Sequence, residues 1–157
     1  MTEDEKEEEI IFLNPVEGVI TSSFGERKNP VLGVLEFHNG IDISVETGTE
    51  AIAVCDGRVV EIRKSETLGN VLVYETVNGY RITYAHLKEI LKEAGDLIKR
   101  GETIALTGNT GLSTGPHLHY GIEFGGEYID PYEFTFLTYT DEVVKEYEAR
   151  GESIVVK

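Results

Sequence analysis

Two runs of alternating apolar residues, Asn70–Val77 and Tyr80–Ala85, flank the dipeptide Asn78-Gly79, and no other feature limits the fold of this chain so tightly. Alternation with a period of two places successive side chains on opposite faces of a strand. Asn-Gly suits the two-residue turn whose twist matches that of a hairpin. The same texture recurs on both sides. Val19–Phe24 alternates and stops at Gly25, Gly57–Arg63 alternates again, and glycines at 95, 101, 108, 111, 115 and 121 punctuate short strands. Close turns between short strands predict a mainly β body, a compact antiparallel sandwich or barrel. Within it only Leu87–Ala94 reads as helical, and that stretch is short.

A chain of 157 residues suits a single domain that buries enough surface to need no staples. Its one cysteine, Cys55, excludes an internal disulfide and sits in an apolar run as a small buried hydrophobe. Residues 1–9 read as a disordered acidic lead-in, the opposite of the basic and then apolar start of an export signal. Residues 10–134 form the body, and residues 135–157 an appendage packed on it. In that appendage Thr140 caps a helix over Asp141–Arg150, Gly151 ends it, and Ser153–Val156 adds an edge strand.

The formal charge of −15 argues against a nucleic-acid partner, whose phosphates call for a basic face. No stretch approaches the length of a membrane span. The sequence leaves the oligomeric state open, with a monomer favoured.

The chemistry gathers on the four histidines, each set in a polar, glycine-flanked motif. His38 and Asp42 form an H-x-x-x-D element, His86 closes Tyr84-Ala85-His86, and His117 and His119 bracket Leu118. Three nitrogens and a carboxylate form a ligand set that suits zinc. On a straight strand His38 and Asp42 would stand roughly 13 Å apart, too far for one metal to bridge. The segment must therefore curl, and Gly40 is the residue expected to permit it. His117 and His119 project from one face of a strand, so one can bind a metal while the other faces a ligand on it. Spacing leaves open which does which. His86 is expected at a sheet edge, between its strand and the short helix. The run Gly108–Gly115 lacks the lysine of a phosphate loop and reads as tight turns lining a groove.

From about Ile20 to Pro131 the chain resembles the lysostaphin/LytM-type zinc metallo-endopeptidases that cut peptidoglycan peptides. The likeness rests on Phe37–Ile43, Gly48-Thr49, Asp56-Gly57, Gly69-Asn70, Asn78-Gly79, Thr83–Leu87, Gly101-Glu102 and Thr110–His119, in that order. The resemblance implies an antiparallel β-sheet groove with zinc held by His38, Asp42 and His119. It implies that His86 and His117 are the catalytic pair that does not bind the metal. It further implies a peptidoglycan peptide as substrate and a place in the cell envelope or outside the cell. Asn29-Pro30, Cys55 and Tyr120 depart from the family pattern, outside the catalytic set. Two other readings compete: a non-enzymatic activator or structural module of the same fold, and a carrier or phosphotransfer sandwich domain. The first is disfavoured by the complete ligand set, the second by the H-x-x-x-D element and the lack of a conspicuous carrier lysine.

Overall fold

The computed structural model describes residues 11–28 and 34–149. Its strands are β1 (Val19–Ser22), β2 (Gly25–Lys28), β3 (Leu35–His38), β4 (Gly40–Ser44), β5 (Glu50–Ile52), β6 (Gly57–Ser65) and β7 (Gly69–Thr76). They continue with β8 (Arg81–Leu87), β9 (Glu89–Ile90), β10 (Leu97–Ile98), β11 (Thr103–Leu106), β12 (His117–Phe124) and β13 (Glu127–Ile129). A 3-10 turn at Pro131–Phe134 and the helix α1 (Asp141–Ala149) follow. The main sheet runs β1-β4-β12-β8-β7-β6-β10, all antiparallel, with β13 added beside β12. A three-stranded sheet β5-β11-β9 and the ribbon β2-β3 complete it. The hairpin at Asn78-Gly79 joins β7 to β8, as the sequence predicts.

Strand register sorts the main sheet into two unlike faces. Ile41, Ile43, Leu118, Tyr120, Ile82, Tyr84, Leu72, Tyr74 and Val59 share one face and are all fully buried, forming the core with residues such as Ile20 and Ile104. Residues of the other parity form the second face. Asp42 pairs with His119, His119 with Ala85, and Arg63 with Val71. Gly121 pairs with Thr83, Thr83 with Val73, and Val73 with Glu61. Side chains directly opposite across an antiparallel pair stand on the same face. These rows therefore lie side by side on the polar face. Among the described residues its buried apolar cluster is the small one of Val71, Val73 and Ala85. The fold thus stabilises itself through one face and leaves the other for function.

Tyr74 and Tyr84 tie this core to β5. The amide of Val54 donates to the Tyr74 hydroxyl at 3.0 Å, the two hydroxyls lie 2.7 Å apart, and Tyr84 donates to Ile52 O at 2.7 Å. Burial raises both phenols, Tyr84 well above its ordinary range. They remain neutral donors.

Two expectations for the body require correction. Leu87–Ala94 forms no helix: Leu87 ends β8, and β9 pairs with β11. Lys88 donates its amide to Leu106 O and Leu91 to Ile104 O, each at 2.9 Å. So short a segment is a marginal helix, and the edge of β11 claims its backbone donors. His86 is not at a sheet edge either, because β8 runs between β7 and β12.

Cys55 is buried, as expected. The C-terminal helix is present, its first turn capped by Thr140, whose carbonyl accepts from Val144 N at 3.1 Å. The chain before it runs alongside β1: Ile20 N donates to Thr138 O at 2.9 Å and Thr140 N to Ile20 O at 3.0 Å. Leu137 joins the core. The acidic lead-in, Asn29-Pro30, Gly151 and the Ser153–Val156 strand lie outside the described residues.

Candidate metal centre

The chain curls between His38 and Asp42, as spacing required, but at Asn39. His38 pairs with Gly25 in the ribbon, whereas Gly40 already pairs with Gly121 in the main sheet. Gly40 is needed for another reason than the curl. A Cβ there would stand 2.3 Å from Tyr120 O, so only glycine lets β4 approach β12 so closely. The turn brings His38 Nε2 to 3.3 Å from Asp42 Oδ1. From β12, His119 Nδ1 reaches the same oxygen at 3.0 Å.

The protonation of these groups follows from their other contacts. His38 Nδ1 lies 2.9 Å from Ser23 O, and a carbonyl only accepts, so Nδ1 carries the hydrogen. The other ring nitrogen, Nε2, is thereby turned toward the Asp42 carboxylate. Burial works to raise the Asp42 carboxyl, but hydrogen bonds and charge from His119 and His38 prevail and hold it well below the usual carboxylate range. One ligand atom each from His38, Asp42 and His119 lies within 4.8 Å of the others. Ligands about 2.1 Å from a tetrahedral metal stand about 3.4 Å apart. Two imidazole nitrogens and an anionic carboxylate oxygen converging this closely fit a divalent cation.

His86 reaches the polar face through a bulge. Between β7 and β8, Asn70 pairs with Leu87 and Leu72 with Tyr84, so β8 holds one residue more than its partner. His86 has φ +59°, alone in this among the described residues other than glycine. Ala85 and His86 thereby both face the site, and Leu87 returns to the core. Such a backbone persists only where its surroundings hold it. Here His86 N donates to Leu68 O at 2.7 Å, and its Nδ1 donates to Thr110 O at 2.7 Å. Burial lowers the His86 imidazole below its ordinary range, the bond to Thr110 works against this, and His117 and His119 add to the lowering.

His117 is tethered likewise. Its Nδ1 donates to Gly115 O at 2.8 Å, and the Ser113 hydroxyl lies 3.2 Å from the same nitrogen. The His86 and His117 rings lie 4.6 Å apart. Each ring turns Nε2 away from its tether, and His117 Nε2 stands 3.8 Å from Asp42 Oδ1. All five residues singled out in the sequence come together here. The tethering roles of Thr110, Gly115 and Ser23 leave no mark in the sequence, because these residues act through backbone carbonyls that no side-chain pattern signals.

Beside the metal-ligand cluster opens a cleft of about 200 Å³. Thr83 and Gly121 from the polar face line it together with His38 and His119, Phe37 and Asn39 come from the ribbon side, and Arg63 and Tyr128 from β6 and β13.

Residues 36–131 match the model of peptidase family M23. Over 104 residues the chain is 45% identical to a peptidoglycan DD-endopeptidase of Vibrio cholerae, covering 66% of this chain and 24% of that protein. It is 37% identical over 112 residues to a DD-carboxypeptidase/endopeptidase of Neisseria meningitidis, covering 71% of this chain and 26% of that one. The chain thus spans about a quarter of the length of these relatives. Among solved structures, a zinc-containing peptidase from Vibrio cholerae aligns with TM-score 0.70 and 39% identity over 76% of this chain and 37% of that one. The catalytic domain of lysostaphin from Staphylococcus simulans aligns with TM-score 0.66 and 30% identity, over 73% of this chain and 90% of that domain.

Proposed function

The chain belongs to peptidase family M23, and from that premise we propose that it is a zinc-dependent endopeptidase hydrolysing peptide bonds in peptidoglycan stem peptides or cross-bridges. His38, Asp42 and His119 hold the zinc, and His86 and His117 are the catalytic pair that leaves it free. Residues 10–134 form the endopeptidase domain, residues 135–157 an appendage on it, and the cell envelope is where its substrate lies. The observation that carries this reading is the convergence of three ligand atoms on one point with two tethered imidazoles beside it. Two nitrogens and a carboxylate oxygen suit zinc and leave a coordination position open.

Zinc bound there supplies Lewis acidity, polarising a carbonyl and lowering the pKa of water. The chain's own residues do the rest. His86 and His117 each present a basic Nε2, because each Nδ1–H is engaged by a carbonyl. Either can accept a proton from the attacking water and pass it to the leaving nitrogen. Once protonated, the same nitrogen donates to the oxyanion of the tetrahedral intermediate. The low Asp42 carboxyl stays anionic throughout the neutral range.

Digestion of purified cell walls of differing cross-bridge chemistry, followed by mass analysis of the fragments, tests the activity. The zinc-loaded chain should release new amino termini, and a chelator should abolish their release. Intact walls of every type after prolonged digestion would reject the reading. Metal analysis tests the ligands separately: His119→Ala should lose zinc, and full occupancy in that variant would reject the assignment.

A further inference from the structure

Arg63 stands apart on the polar face. Its Nε donates to Glu61 Oε1 at 2.8 Å, and Glu61 Oε2 is held in turn by Arg81 Nη2 at 3.2 Å. Arg81 is itself fixed by Glu75 at 3.1 Å. Exposed ion pairs add little stability, roughly 0–1 kcal/mol each. What the arrangement does is orient a guanidinium. Glu61 occupies Nε alone, and among the described residues no protein group is recorded on the two terminal nitrogens of Arg63. Those two nitrogens form the edge that grips a carboxylate with two parallel bonds.

The position of that edge is set by the sheet. Arg63 pairs with Val71, which lies beside Ala85 in the small apolar cluster, and Ala85 pairs with His119. Three strand spacings separate the Arg63 and His119 backbones, roughly 14 Å. An arginine side chain covers about half of that. Arg63, His119 and His38 line the same cleft, with Tyr128 beside them. Between them the cleft is lined by Leu68, Thr83 and Gly121, which offer a ligand no competing charge.

We propose that Arg63, oriented by Glu61, is a specificity-determining residue that binds a carboxylate of the substrate close to the scissile bond. Against the overall charge of −15, this local cation selects an anionic peptide, one whose cross-linking diamino acid carries a free carboxylate. A bridge of neutral residues such as glycine gives this edge nothing to hold. The inference rests on the endopeptidase reading for its substrate, but the subsite itself is a matter of binding.

The test uses the zinc-loaded full chain and a synthetic cross-linked peptide in two forms. In both, a D-alanyl carbonyl is joined to the side-chain amine of a diamino acid. The carboxylate beside that amine is free in one form and a carboxamide in the other. Dissociation constants and kcat/KM are measured for the wild type, Arg63→Gln and Arg63→Lys. The wild type should favour the carboxylate form by about tenfold, the net of two charge-assisted bonds and their desolvation. Arg63→Gln should bring that ratio to about one. Arg63→Lys, which keeps the charge and loses the fork, should restore only part of it. An indifferent wild type, or a glutamine variant that weakens both forms equally, overturns the proposal. Preferential binding without hydrolysis of either form supports the subsite and removes the peptidase reading. Hydrolysis without preference does the reverse.

Discussion

His86 donates its Nδ1–H to the carbonyl oxygen of Thr110 at 2.7 Å, and the turn that carries Thr110 thereby decides which nitrogen of the ring faces the site. Thr110 is itself placed by a close approach of two glycines. Gly69 and Gly111 have φ of +67° and +77°, and a Cβ on Gly111 would meet Gly69 N at 2.3 Å. Thr110 Oγ1 accepts from Asn70 N at 3.1 Å and donates to Leu87 O at 2.8 Å, bracketing the bulge from both sides. The tautomer of His86 is therefore set by loop geometry outside β8.

Gly111→Ala tests that dependence. The left-handed backbone alone costs an L-residue about 1–2 kcal/mol, and the overlap with Gly69 adds to it. A thermal melt should show a loss of more than about 2 kcal/mol. Turnover should fall in the fraction that stays folded and zinc-loaded, although Gly111 carries no reactive group. Unchanged stability and turnover would mean that Thr110 does not need this turn.

The burial of His86 has a direction in pH. Its ordinary value is 6.5, and the folded protein lowers it. As pH falls, the unfolded chain takes this proton first, so the folded state loses stability from this group below about pH 6.5. At neutral pH the ring is uncharged and its Nε2 is free to accept. An NMR titration of the His86 ring should give a midpoint below 6.5. A midpoint above it would show that the bond to Thr110 outweighs burial.

Much of this was legible in the sequence, and what was not has physical causes. The hairpin at Asn78-Gly79 was readable because turn type and alternation agree. The bend between His38 and Asp42 was readable from distance alone, and the shared face of His117 and His119 from parity. The bulge at His86 left no trace, because Tyr84-Ala85-His86-Leu87 shows no extra residue until β7 is laid beside it. Arg63 ends the alternating run Gly57–Arg63, and only the closed sheet puts it on the face of the histidines. Leu87–Ala94 was misread because its backbone partners on β11 lie more than ten residues further along the chain.

Two buried phenols should respond differently to the same substitution. Tyr84→Phe removes the donor to Ile52 O and the partner of the Tyr74 hydroxyl, and should cost about 1–3 kcal/mol. Tyr120 is buried with no hydrogen-bond partner on its hydroxyl among the described residues. Tyr120→Phe removes an unpaired polar group and should be neutral or stabilise by about 1 kcal/mol. Denaturant unfolding of both variants reads the difference. Equal losses would indicate that shape alone matters at both positions.

The pair of imidazoles offers the sharpest separation of binding from chemistry. His86 and His117 are tethered through Nδ1 to Thr110 and Gly115, whereas His38, Asp42 and His119 converge on one point. His86→Ala and His117→Ala should therefore keep about one zinc per chain. Turnover should fall by roughly 10²–10⁴-fold, the range for lost proton transfer or oxyanion stabilisation. KM should change far less, because these contacts strengthen mainly in the transition state. Metal analysis and steady-state kinetics on the same preparations distinguish the outcomes. Loss of zinc in His117→Ala with retention in His119→Ala would exchange the roles of the two β12 histidines. Full turnover in both His86→Ala and His117→Ala would leave the pair without a catalytic role.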